Sequence, residues 1–93
     1  MAVWFTIELP MTEQQADAVL RELGLNNRPA PGQIFHVEGS VGGGVTRVVD
    51  AWESEEAFQQ FFQDRIMPAF QKAGLEMPPD LQPQFLQARN MLR

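Results

Sequence analysis

What most constrains this chain is that its apolar residues change period along its length, from two to 3.6 and back. Val3, Phe5, Ile7 and Leu9 alternate with Trp4, Thr6 and Glu8, the pattern of a half-buried strand, and Pro10 ends it. Thr12 then stands where an N-cap would, with Gln15 placed to complete a capping box. Ala16, Val19, Leu20 and Leu23 follow as one helical stripe, closed by Gly24 at a C′ position. Asn26 to Gly32, with Pro29 and Pro31, is a loop. Gln33 to Gly39 returns to period two, with Ile34, His36 and Glu38 on one face and Phe35 and Val37 on the other. The glycines between Gly39 and Gly44 predict a hairpin tip, after which Val45 to Trp52 forms a third strand. In it Val45, Arg47, Val49 and Ala51 alternate with Thr46, Val48, Asp50 and Trp52.

Ser54 caps a second helix, with Glu55 and Glu56 in the first turn, where the helix dipole favours acids. Its apolar stripe is wide: Phe58, Phe61, Phe62, Ile66, Ala69, Phe70 and Ala73. Pro68 lies inside it and predicts a kink, because proline removes one backbone donor and crowds the carbonyl of Asp64. Gly74 closes the helix, and Asp80 to Ala88 predicts a final strand that Pro83 confines to an edge or a strand start.

Strand, helix, strand, strand, helix, strand is the split β-α-β order of a ferredoxin-like α+β domain, and residues 1–93 make one such domain. Both helices cover one face of an antiparallel sheet. Nothing remains in the chain to cover the other face, so a partner chain is implied. At 93 residues the chain buries roughly 60–65% of its unfolded surface, which leaves a thin core. Without cysteine it has no disulfide to reinforce that core, so oligomerisation is the expected device. Charge narrows the partners. Twelve acidic side chains against 7 scattered basic ones, net −5, exclude a nucleic-acid footprint. The residues from Met1 to Pro10 lack a signal peptide's basic start and apolar run, and no segment approaches a membrane span. A cytoplasmic protein with no membrane partner is expected. With one histidine and no ligand-spaced acid cluster, no metal site is expected either.

Three stretches carry a resemblance. They are Pro31-Gly32-Gln33-Ile34-Phe35-His36-Val37-Glu38-Gly39; Arg47-Val48-Val49-Asp50-Ala51-Trp52-Glu53-Ser54-Glu55-Glu56-Ala57-Phe58; and Pro68-Ala69-Phe70 with Pro78-Pro79. Together they resemble the dimeric α+β barrel superfamily, and most closely its small antibiotic-biosynthesis-monooxygenase-like members. The Asp-x-Trp-Glu-Ser-x-x-Ala-Phe run from Asp50 to Phe58 is the most specific part. The resemblance spans roughly residues 2–88. It implies a homodimer whose two sheets pack face to face, with a pocket between helices and sheet in each protomer. Catalytic members oxidise aromatic or quinol substrates with molecular oxygen and without metal or flavin, so no cofactor is expected. Heme-cleaving members place an Asn on the first strand and a Trp and a His on the second helix. Here the helix positions are Phe61 and Gln71 and the first strand has no Asn, so heme cleavage is not expected.

His36 is the only side chain whose ordinary pKa lies near neutrality, and it is the candidate base for a phenolic proton. The plainer alternative is a strand histidine satisfied by a cross-strand partner. Hairpin register decides between Arg47 or Val49 and Asp50 as that partner, and an Asp50 neighbour would raise the imidazole's basicity. Arg65, within the apolar stripe, is the candidate partner for a substrate oxyanion; its plainer role is a packed stem with the head turned to water or to an acid. Trp52, Phe58 and Phe61 are the candidate pocket walls, with Phe62, Ile66 and Ala69 expected in the core. Two functions are compatible with these residues: a cofactor-independent monooxygenase-like enzyme acting on an aromatic or quinol molecule, or a non-catalytic homodimer that binds a small ligand or another protein.

Overall fold

The computed structural model of the chain describes residues 1–79 and 81–91. It is a small α+β structure with a four-stranded antiparallel sheet in the order β2-β3-β1-β4 and helices over one face, consistent with a ferredoxin-like fold. The strands are β1 (Val3–Leu9), β2 (Gln33–Gly42), β3 (Val45–Trp52) and β4 (Leu86–Gln87); α1 (Glu13–Leu23) follows β1.

α1 begins and ends where its chemistry dictates. Thr12 accepts from the Gln15 backbone N–H while the Gln15 side chain accepts from the Thr12 N–H, closing the capping box. Gly24 adopts φ 65° and returns its N–H to Leu20. Ala16, Val19 and Leu23 are buried, whereas Leu20, at the margin of the stripe, is 38% exposed.

β2 runs three residues past the expected Gly39, to Gly42, because the glycine-rich turn pairs almost to its tip. Two irregularities interrupt its ladder with β3, one between Gln33 and Phe35 and one between Ser40 and Gly42. The first makes Ile34 the extra residue of a bulge, so Ile34 does not continue the His36–Glu38 alternation as the period-two pattern predicts. Upstream, Gly32 has φ 83°, and a Cβ there would lie 2.9 Å from the Ala57 Cβ, so backbone and packing both demand glycine.

The second helix is not one helix with a kink. It divides into α2 (Glu55–Phe61), a π turn at Phe62–Ile66, and α3 (Met67–Lys72). The Met67 N–H reaches back five residues to the Phe62 carbonyl. The wider turn shifts the pairing by one just ahead of Pro68, so the missing proline donor is absorbed by a change of pitch. The last strand is also shorter than expected. Only Leu86 and Gln87 pair with β1, supported by an Ala88 N–H to Ala2 carbonyl bond of 2.9 Å. The Leu81 N–H bonds the Pro78 carbonyl at 3.2 Å and residues 81–85 do not pair; Asp80, the expected start of that strand, lies outside the described residues.

The core is aromatic. Phe5, Trp52, Phe58 and Phe61 are all buried and meet edge-on or tilted, with ring centroids 4.9–5.6 Å apart. Each such pair adds about 0.5–1.5 kcal/mol beyond area burial. The opposite face of the sheet carries Trp4, Val37, Val49 and Ala51, and Val37 there is 59% exposed. Among the described residues, no helix is long and apolar enough to cross a membrane.

Candidate functional site

α1 packs mainly on α3 and the π turn rather than on the strands. Helices and sheet therefore enclose a cavity of about 910 Å³, whose apolar walls include Phe5, Val48, Phe58, Phe61, Phe62 and Phe70. That volume is at the upper end for small-molecule sites. Its polar lining falls into two groups. Gln33, His36, Glu38 and Asp50 project from the sheet; Arg21, Asn26, Asn27 and Arg28 come from the end of α1 and the loop after it.

The β2–β3 register sets His36 opposite Asp50. The His36 Nδ1–H donates to Asp50 Oδ1 at 2.5 Å. The other carboxylate oxygen, Oδ2, accepts from Trp52 Nε1 at 3.0 Å and Gln33 Nε2 at 3.1 Å. Gln33 is itself anchored, its Oε1 accepting from the Ala30 N–H at 2.9 Å. Asp50 is only 5% exposed and Trp52 is fully buried, and the carboxylate is held in place by these three donors. On the outer side of the ring, His36 Nε2–H points to Glu38 Oε1 at 3.3 Å.

The His36 pKa is pushed up from 6.5 to about 9, first by the hydrogen bond to Asp50 and then by that to Glu38, against the partial burial that pulls it down. This changes the role expected from sequence. At neutral pH both ring nitrogens carry protons, so His36 enters the cavity as a cation and hydrogen-bond donor rather than as a free base.

Stability should follow this titration. A group whose pKa rises on folding stabilises fully below its unfolded value and loses that contribution as pH passes its folded value. The window is therefore pH 6.5 to about 9. After allowance for a side chain that keeps 30% of its surface, the loss should be about 1–3 kcal/mol. Urea unfolding at pH 6 and pH 9.5, with His36→Phe as reference, isolates it; parallel pH curves for the two proteins would refute it.

The remaining expected site residues separate. Phe58 and Phe61 line the cavity. Trp52 does not: it lies beneath the lining and acts on the site through Asp50. Phe62 and Ile66, expected at the core's centre, are half-buried and line the cavity. Arg65 is not brought to His36 and Asp50. Its Nη2 donates to the Leu23 carbonyl at 2.6 Å and its guanidinium sits over Phe61, 5.7 Å from the ring centroid. It thus satisfies the end of α1, because the π turn carries it to the helix–helix seam; its head is turned neither to water nor to an acid, against the plainer expectation from sequence. Gln33, Arg21 and Arg28 were not legible as site residues. For Gln33 the reason is the bulge, which brings it to the His36 side of the sheet against simple alternation. Among the described residues, no three His, Asp or Glu side chains are grouped to hold a metal ion.

No family model matches the chain, and no curated protein matches it. Among the solved structures similar to it are these two. One is a protein of unknown function from Nitrosomonas europaea, 22% identical with a TM-score of 0.64, the match covering 99% of this chain and 94% of that one. The other is a conserved protein from Methanosarcina mazei Go1, 12% identical with a TM-score of 0.58, covering 92% and 89%. At these identities the likeness is one of fold, extending over nearly the whole length of each chain.

Proposed function

We propose that this chain is a cofactor-independent monooxygenase-like protein that takes an aromatic or quinol molecule into the cavity between sheet and helices. One observation carries the reading: a buried, triply bonded Asp50 presents a protonated His36 to a cavity otherwise walled by aromatic rings. A cation at the end of an apolar slot lowers the pKa of a phenolic hydroxyl that reaches it. The phenol's proton goes to solvent, and the resulting phenolate takes the place of Glu38, whose contact is the longer at 3.3 Å, as acceptor of the His36 Nε2–H. The electron-rich anion then reduces oxygen. For a substrate with an oxidisable ring methylene the balance is R2CH2 + O2 → R2CO + H2O. The carbon supplies four electrons; one oxygen atom stays in the new carbonyl and the other leaves as water. Oxygen uptake with a panel of hydroquinones and anthrones tests this. Uptake that is stoichiometric with product supports it.

A second reading has its own support. With Nδ1 on Asp50 and Nε2 on Glu38, His36 has no nitrogen free to take a substrate proton, which favours binding over turnover. A non-catalytic ligand-binding homodimer would bind such compounds with no oxygen uptake.

Both readings include a homodimer, in a ferredoxin-like βαββαβ arrangement closed into a dimeric barrel. Its support is the apolar strip of Trp4, Val37 and Val49 on the sheet face away from the helices. A Glu8–Arg47 ion pair is the next cross-strand pair on that face, two register rows beyond Val49. The expected interface buries more than roughly 1,600 Å² in total. Sedimentation equilibrium should return twice the chain mass at micromolar concentration, and Val37→Glu should shift it to the monomer. A folded monomer throughout would defeat the dimer.

A further inference from the structure

The geometry points to a ligand that is an amphipathic acid: an aromatic body whose hydroxyl reaches His36 and whose carboxylate is received by Arg21 and Arg28 at the other polar group of the cavity. This inference rests on the small-molecule reading of the cavity and narrows the class of molecule it takes.

The argument begins from scarcity. The chain has 7 basic side chains against 12 acidic ones. Arg47 is paired with Glu8, and Arg65 is engaged by the Leu23 carbonyl and Phe61. Yet two of the remaining arginines, Arg21 and Arg28, line one cavity. Neither makes an ion pair among the described residues. In an acidic protein, solvated arginines would pair readily with neighbouring carboxylates; here the acids of the cavity, Glu38 and Asp50, are already committed to His36. The two guanidiniums are therefore available to a carboxylate from outside, which they match in geometry.

Their placement favours the same conclusion. Arg21 stands in the last turn of α1, and Arg28 in the loop after Gly24, its backbone N–H bonded to the Leu25 carbonyl. Asn26 and Asn27 between them both hold left-handed φ values, 55° and 61°, which fold the loop back so that both arginines border the same opening. With His36 protonated, the charged lining is three cations against two carboxylates. A monoanion or dianion thus enters a site of favourable charge, although the protein as a whole is at −5. The rest of the lining is mainly aromatic and aliphatic, which calls for a flat apolar body.

Isothermal titration with 6-hydroxy-2-naphthoate and with 2-naphthol, the same skeleton without the acid, tests this on the intact protein. The naphthoate should bind about tenfold more tightly at low salt, as expected for two partly solvated charge contacts, and the advantage should shrink as salt is raised. In the Arg21→Gln/Arg28→Gln double variant the ratio of the two affinities should fall towards one. The corresponding double lysine variant should keep part of the preference, which separates charge from any change in folding. If both probes bind equally to the unaltered protein, or if the preference survives the double glutamine variant, the inference is overturned while the cavity reading stands. If neither binds up to millimolar concentration, both fall. If the naphthoate is preferred but no oxygen is consumed with any oxidisable analogue, the acid-binding inference holds and the oxygenase reading fails.

Discussion

Replacing Asp50 with alanine should destabilise the protein by about 3–5 kcal/mol, the cost of removing one partner from a buried, hydrogen-bonded charge pair. The substitution takes away the acceptor for three groups at once: His36 Nδ1, Gln33 Nε2 and the indole N–H of Trp52. Trp52 has no exposed surface, so its donor would be orphaned in the core with no access to water. The His36 pKa should drop from about 9 towards its ordinary value, since its largest upward influence is gone and Glu38 alone remains. For a domain of this size the thermal midpoint should fall by more than about 10 °C. Asp50→Asn preserves shape and one acceptor oxygen, yet it loses the charge, so it should lie between the two. Urea denaturation and NMR titration of the imidazole read both effects. A native midpoint in the alanine variant would show that the cluster around Asp50 does not hold the fold together.

His36→Phe should lower turnover of any oxidisable aromatic substrate by about 10²–10³, the usual effect of removing one preorganised donor to a developing oxyanion. Folding should suffer less than in Asp50→Ala, because Asp50 keeps Trp52 and Gln33. The pH profile distinguishes this role from that of a base. With His36 as a cationic donor, turnover rises as the substrate hydroxyl ionises and falls again as the imidazolium loses its proton near pH 9. A base at that position would show the opposite, with activity growing through the His36 titration. In His36→Phe the falling limb should vanish, and the hydroxyl of bound 2-naphthol should ionise at its ordinary pH instead of a lower one, as read from its absorbance. Unchanged turnover and an unchanged naphthol spectrum would remove His36 from the site's chemistry.

Much of the architecture was legible because it is written in local physics. The capping box at Thr12 and Gln15, the C′ glycine at Gly24, the Ser54 cap and the period-two runs of β1 and β3 each depend on residues within a few positions of one another. What failed were features in which one element answers another. Proline chemistry predicts a break at Pro68 but cannot choose between a kink and a π turn; packing of Phe58, Phe61 and Phe70 on the sheet chooses the turn that keeps all three buried. Asp80 to Ala88 has strand-like alternation, but among the described residues only Leu86 and Gln87 find a partner on β1.

By itself the sequence determined the α+β class, the element order up to the last strand, the aromatic stripe of the second helix and the short roster of chemically able side chains. Only the tertiary structure decided how those side chains meet. The hairpin register put His36 against Asp50 rather than Arg47, and in doing so turned a candidate base into a cation. The bulge at Ile34 brought Gln33 to the same carboxylate, and the π turn carried Arg65 away to the end of α1. The physical reason is the same in each case. A strand's period tells which residues share a face but not which residue of the neighbouring strand lies opposite, and a one-residue shift in pairing or pitch costs little locally while it exchanges every contact across the element.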